Sequence, residues 1–255
     1  MDSFSISQNI AGSAWMSGID PLVNYSGGIL TVRYANQTTA GNVGICFVTT
    51  NDGILGTVQD NSVLGGNLWE LLCFSPSSTG TCGLYINMNL PGGLYDGVPL
   101  EVSTSLLTGF SGSPSMILAE IGYPTMGFGI STFQCPFNEF VSQFEQVSQF
   151  VFPGHTLNTT GSSTSGLLNV LAMGCVYDAG GSTGGDHNWV VPGAQPNQVI
   201  VNEIHETGGV SPCNNCGVMM IGFQSAQEIL AATSTPGASI VDGLMCAVVF
   251  TALNP

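Results

Sequence analysis

The sequence predicts an all-β protein: two tandem antiparallel β-sandwich domains, residues 1–125 and 126–255, with a short linking helix as a candidate between them. Three observations predict it. Apolar runs of strand length recur from end to end, bounded by residues that favour turns. The chain holds 35 Gly and 13 Pro, which punctuate those runs. Lys and Arg together number one in 255 residues, so most of the good polar helix formers are missing.

The elements follow in order. Gly28-Ile29-Leu30-Thr31-Val32-Arg33-Tyr34 alternates, as a half-buried strand should. Gly44-Ile45-Cys46-Phe47-Val48-Thr49 is a continuous apolar run of strand length. Leu68 to Phe74 and Gly83 to Met88 are the next two strands, then Leu100 to Leu106, which alternates cleanly, and Ser115 to Ile121. The turns between them are Asn51-Asp52-Gly53, Gly65-Gly66, Pro91-Gly92-Gly93 and Ser111-Gly112-Ser113-Pro114. Pro124, Gly127, Gly129 and Pro136 then mark the boundary between domains. In the second half the strands are Gly166 to Val176, Gln198 to His205, Gly217 to Phe223 and Gly243 to Leu253. One segment reads differently. Phe137, Phe140, Val141, Phe144 and Val147 fit a period of 3.6, so the spacing predicts a short amphipathic helix over 137–151. The aromatic and β-branched content there also allows a bent strand.

Composition excludes several functions. Sixteen acidic residues face one basic residue, Arg33, for a formal net charge of −15. Nucleic-acid binding needs cations for phosphates, and clamping nucleotides or sugar phosphates needs Lys or Arg. Neither partner is expected, and no membrane partner either, since no apolar run approaches the length of a spanning helix. The 44% hydrophobic content argues against disorder. Residues Met1 to Gln8 have neither a cationic nor an apolar stretch of the kind a secretory signal uses. A nearly uncharged surface without an export signal fits a protein made in a host cytoplasm and released by lysis, which is the localisation expected of a virion protein.

Seven of the eight cysteines divide into two groups. Cys46, Cys175 and Cys246 sit in apolar runs, where a thiol acts as a small hydrophobe. Cys73 and Cys82 flank a predicted hairpin tip and are candidates for a disulfide, and Cys213-Asn214-Asn215-Cys216 is a C-x-x-C read as a loop staple. Two such pairs at proper spacing would argue strongly for zinc; one alone argues first for a loop staple or free thiols and only second for a metal.

The order of elements carries a resemblance. Val58-Gln59-Asp60, Gly66-Asn67-Leu68-Trp69, the tyrosine-bearing Leu84-Tyr85-Ile86 and the closing Ala119-Glu120-Ile121-Gly122-Tyr123 follow one another in the first half. The second half closes with Ala238 to Leu253. This resembles the Ig-like and jelly-roll-like β-sandwich modules of tailed-phage virion structural proteins and bacterial surface proteins, read as "V-x-D", "G-N-x-W" and "A-E-Y" strands. The chain departs from them in its cysteines and in its near absence of Lys and Arg.

No constellation points to catalysis. Glu203-Ile204-His205 with His187 suggests a metal site only loosely, and a solvent-facing polar strand explains it as well. The acid-bearing loops Asp178 to Asp186 and around Asp52 and Asp60 read as tips of turns rather than calcium sites. No acid pair stands out for glycoside hydrolysis. The expectation is therefore no catalytic residue, no metal and no cofactor. The resemblance implies a non-enzymatic virion protein, a capsid cement or decoration protein or a tail accessory. It would form homo-oligomers and bind a major capsid or tail protein. Trp15, Trp189 and Arg33 are the candidate ligand or interface residues. The alternative is an extracellular adhesin or carbohydrate-binding protein using Trp15 and Trp189.

Overall fold

Along Glu101–Leu106, Val102 and Thr104 are buried while Glu101 and Ser103 are half-exposed. This is the period-two signature of a strand with one face on a core. The same logic recurs through a computed structural model that describes residues 5–51, 55–63, 67–76, 80–106, 114–122, 137–147, 156–158, 168–177, 188–190, 198–204, 215–223, 229–231, 233–235 and 240–252. Apart from one three-residue 3-10 turn, Ala14–Met16, the described regular structure is β. No described helix is long and apolar enough to cross a membrane.

Ten strands come from the first 122 residues: β1 Ser5–Ser13, β2 Val23–Ser26, β3 Ile29–Arg33, β4 Val43–Asn51, β5 Leu55–Asp60, β6 Asn67–Leu68, β7 Glu70–Pro76, β8 Gly80–Asn87, β9 Glu101–Leu106 and β10 Pro114–Gly122. They form two antiparallel sheets. The first has the order β1-β10-β4-β8-β7 and the second β2-β3-β9-β5-β6. Their facing sides share one core. Ile10, Cys46, Val48, Tyr85, Met116 and Leu118 of the first sheet meet Leu30, Val32, Val58 and Val102 of the second.

The remaining described strands are β11 Phe137–Val147, β12 Thr156–Asn158, β13 Leu168–Tyr177, β14 Asn188–Val190, β15 Gln198–Ile204, β16 Asn215–Phe223, β17 Ile229–Ala231, β18 Thr233–Thr235 and β19 Ile240–Ala252. Five of them make a third sheet, β11-β19-β13-β16-β15, and the short ones pair as β12 with β17 and β14 with β18.

The expected linking helix is a strand. Phe137–Val147 pairs antiparallel with β19, Phe140 opposite Phe250 and Val141 opposite Val249. A spacing of four, as between Phe140 and Phe144, satisfies a helix and a strand alike. A register shift between Phe137 and Glu139 breaks the strict alternation that would have marked the strand. Pairing with a long apolar neighbour then decides the outcome for residues of high β-propensity.

The first sheet is buried on both faces. Its side away from the second sheet carries Val43, Ile45, Phe47, Leu84, Ile86, Ile117, Ala119 and Ile121, all at most 2% exposed. Strands of the third sheet cover that side: β15 lies against β1, β16 against β10, β13 against β4, β19 against β8 and β11 against β7. Double burial explains why β4 and β10 read as continuous apolar runs, whereas β9 alternates.

Candidate functional site

Among the described residues of the first half two acidic side chains are buried, Asp60 at 2% exposure and Glu120 at 1%. A buried carboxylate costs several kcal/mol unless hydrogen bonds replace its water, so their partners define what these groups do.

Asp60 ends β5. Its Oδ1 accepts from the backbone N–H of Ser62 at 3.0 Å and from the Ser62 hydroxyl at 2.5 Å, a turn closed by the side chain itself. Its Oδ2 accepts from Trp69 Nε1 at 2.9 Å, Asn87 Nδ2 at 3.1 Å and Asn67 Nδ2 at 3.4 Å. The acid thus ties the end of β5 to the β6–β7 bend and to β8. Trp69 is set by the chain on either side. Its backbone N–H donates to Val58 O at 2.9 Å, and its ring lies over Gly44, where a Cβ would stand 2.5 Å from Cη2.

Glu120 sits on β10, on the side that faces the second sheet. Its Oε1 accepts from Asn42 Nδ2 at 2.6 Å and from the backbone N–H of Thr39 at 2.8 Å, and its Oε2 accepts from Gln8 Nε2 at 2.6 Å. Gln8 is held in turn by Asn36, whose backbone N–H donates to Gln8 Oε1 at 3.2 Å. Glu120 therefore pins the 36–42 loop and β1 to β10.

Among the described residues, neutral donors alone hold both carboxylates. Arg33 is elsewhere: its Nη2 donates to the Pro21 carbonyl at 3.0 Å. Its cross-strand neighbour is Glu101, whose Oε2 accepts from Asn61 Nδ2 at 3.4 Å. Asp60 and Glu120 spend their acceptor capacity on their own chain, an arrangement that fastens strands and presents no group to a substrate. Asp60 is not the loop tip that its sequence setting predicts.

Two further polar groups lie in the same core. Tyr34 is fully buried and its hydroxyl has no hydrogen-bond partner among the described residues. Burial pushes its pKa well above the ordinary tyrosine value, and Cys46, Glu120 and Asp60 nearby add to the rise. Burial alone pushes the Cys46 thiol up. Both stay protonated at neutral pH, the opposite of what an activated nucleophile needs.

The residues singled out from the sequence are dispersed. Trp15 falls in the 3-10 turn after β1, and Trp189 on β14 opposite Ser234. The β7–β8 register sets Cys73 against Leu84 and Ser75 against Cys82, which makes the two cysteines diagonal neighbours. Cys213, His187, His205, Asp52 and the 178–186 loop lie outside the described residues. Cys216 is in β16 and Glu203 in β15. No group of three or more metal-ligating side chains occurs among the described residues. Sequence reasoning missed Asp60 and Glu120 as anchors, although the "V-x-D", "G-N-x-W" and "A-E" segments contain both, together with Trp69 and Asn67.

Comparisons with protein-family models, with curated proteins and with solved structures return no match.

Proposed function

We propose that the protein is a non-enzymatic virion structural protein, a capsid cement or decoration protein or a tail accessory, made of two tandem β-sandwiches of jelly-roll type. The observation that carries this reading is how the polar chemistry is spent. The buried acids hold strands together, the buried phenol and thiol are inert, and the charged residues left for the outward face are few and nearly all acidic. What remains for a partner is shape, apolar contact and strand edges.

Topology supports the tandem reading. In two of the three five-stranded sheets the first strand is at an edge, the last strand lies beside it, and the order continues inward in the same way: β1-β10-β4-β8-β7 and β11-β19-β13-β16-β15. The contacts between these sheets are also reciprocal. The central strands β4 and β13 meet each other, and β1 meets β15 as β7 meets β11. Two copies of one unit related by an approximate two-fold axis have this pattern, with the boundary falling between β10 and β11.

Edges support the assembly reading. β1 and β7 end the first sheet, and β7 carries Leu71 exposed at 48%. Strand edges left open are an association hazard that a lattice or oligomer removes. The net charge of −15 keeps unassembled copies apart.

Mass photometry of the purified protein, alone and mixed with shells lacking it, tests the reading. A defined oligomer that docks at fixed stoichiometry supports it. A monomer that ignores shells overturns it, and glycan-array binding lost in Trp15→Ala or Trp189→Ala would establish the adhesin alternative. Arg33→Ala is expected to weaken docking on shells, because Arg33 is the chain's one fixed cation and stands partly exposed at a strand end.

A further inference from the structure

Cys175 and Cys216 lie directly opposite each other in the antiparallel pair β13–β16. We propose that they form a cross-strand disulfide, a redox staple in the second half of the chain that a C-x-x-C reading of Cys213 and Cys216 overlooks.

The argument is one of register. Directly opposed residues of an antiparallel pair share a face of the sheet and have Cα atoms about 4.5 or 5.5 Å apart, according to whether they form a non-hydrogen-bonded or hydrogen-bonded pair. Both separations fall within the Cα range of about 4.4–6.8 Å that a disulfide spans. Seven of the nine β13–β16 pairs precede this one without a register shift, from Leu168–Phe223 to Gly174–Gly217, so the ladder itself fixes the opposition. Small neighbours surround it. Gly174 faces Gly217 one step away, and Cys175 faces Gly243 on its other side in β19. Cys213 precedes β16 in the sequence and lies outside the described residues.

The oxidant is a small-molecule disulfide of the oxidised-glutathione class. One protein thiolate attacks a sulfur of that disulfide, forming a mixed disulfide and expelling one small thiolate. The second protein thiolate then attacks the protein-side sulfur and expels the other. Two protein thiols lose two electrons, the small disulfide gains them, and the two protons leave with the released thiols. A thiol pair kept reduced in a cytoplasm would close in this way once outside it. The bond would close a loop of about 40 residues, long enough for a marked rise in stability.

The test uses the full chain, purified reduced and then held folded in oxidised-glutathione buffer. Remaining thiols are alkylated and the protein is digested with pepsin. Pepsin suits the chain because it offers trypsin a single basic residue, and the acid halts exchange. The expected result is a Cys175 peptide linked to a Cys216 peptide, retained in Cys213→Ser. Oxidation should also raise the melting midpoint of Cys213→Ser and leave that of Cys175→Ser unchanged. A Cys213–Cys216 link, or alkylation of both Cys175 and Cys216 after oxidation, overturns the proposal. Because these readouts are covalent, they stand whether or not the protein docks on a shell.

Discussion

The indole N–H of Trp69 donates to Oδ2 of Asp60 at 2.9 Å, with both residues buried between the end of β5 and the bend before β7. The pair joins a charge to the largest side chain of that bend without any cation. Charge-assisted hydrogen bonds are the stronger kind, and here one carboxylate also collects Asn67, Asn87 and Ser62. Replacing the acid strands several donors at once. Asp60→Ala is expected to cost about 3–5 kcal/mol, as for breaking a buried charged network. Trp69→Phe should cost about 1–3 kcal/mol, because the acid loses one of several donors. Urea unfolding of the two variants checks the order. Equal losses would mean that Asp60 acts only through the indole.

Gly44→Ala tests the same contact from the other side. The added methyl would stand 2.5 Å from Trp69 Cη2 and 2.8 Å from Leu90 Cδ2. Neither neighbour is at the end of a long flexible chain with room to retreat, so overpacking of about 1–3 kcal/mol is expected. Combined with Trp69→Phe, the cost should shrink, since the clashing ring edge is gone. Losses that simply add in a double-mutant cycle would contradict the placement of Trp69 over Gly44.

Glu120→Gln separates shape from charge. Glutamine keeps the outline but offers one acceptor atom and one donor atom in place of two acceptors. With its oxygen toward Asn42 and Thr39, its amide would face the Gln8 Nε2 donor. Turning Gln8 over would give up the bond from the Asn36 N–H. A loss of about 1–2 kcal/mol is expected for Gln and about 3 kcal/mol for Ala. Faster amide exchange in the 36–42 loop should accompany both. Unchanged exchange there would show that Glu120 does not hold the loop.

These anchors show how far sequence could reach. Strands are legible where one face is wet, as in β9, where Val102 and Thr104 alternate with half-exposed neighbours. β4 and β10 are legible as strands too, but their doubly apolar runs say only that something covers both faces, not what. β1 was hidden because Ser5, Ser7, Gln8 and Asn9 give it no apolar period until Ile10, and its pairing with β10 is what makes it a strand. The helical reading of 137–151 fails over Phe137–Val147 because the spacing of four between Phe140 and Phe144 fits both periods, a register shift between Phe137 and Glu139 breaks the alternation, and the partner strand lies about a hundred residues away. Asp60 and Glu120 look like any acid beside a turn or on a strand. Only the fold shows that Asn87 and Trp69, or Gln8 and Asn42, converge on them.

Tyr34 predicts a pH dependence. Its pKa is raised in the folded state by burial, with smaller contributions from Cys46, Glu120 and Asp60, and burial raises that of Cys46 as well. The unfolded chain would release these protons near the ordinary values of 9.0 for cysteine and 10.0 for tyrosine, while the folded chain keeps them. Stability from this source is therefore complete below pH 9 and falls as pH rises through 9 and 10. Tyr34→Phe removes a buried hydroxyl that has no partner among the described residues. It should be neutral or up to about 1 kcal/mol stabilising at pH 7, with a shallower decline above pH 10. Urea midpoints measured from pH 7 to 11 decide this, and an alkaline slope identical to that of the wild type would refute it.

Phe47 carries the strongest test of double burial. It is fully buried on the side of β4 turned away from the second sheet, beside Ile117 of β10 and Leu84 of β8. The residues before and after it, Cys46 and Val48, belong to the core between the first and second sheets. If the third sheet covers this side, Phe47→Ala opens a cavity between two sheets contributed by different halves of the chain. A loss of about 3–5 kcal/mol is expected, as for a core phenylalanine, while Leu71→Ala on the exposed edge should stay within about 0.5 kcal/mol. Location matters more than size. Hydrogen exchange should rise in β13 and β16, which lie against β4, as well as in β4 itself. Protection lost only within residues 5–122 would mean that the two halves do not share this apolar layer, and the face-to-face arrangement of the two units would fail with it.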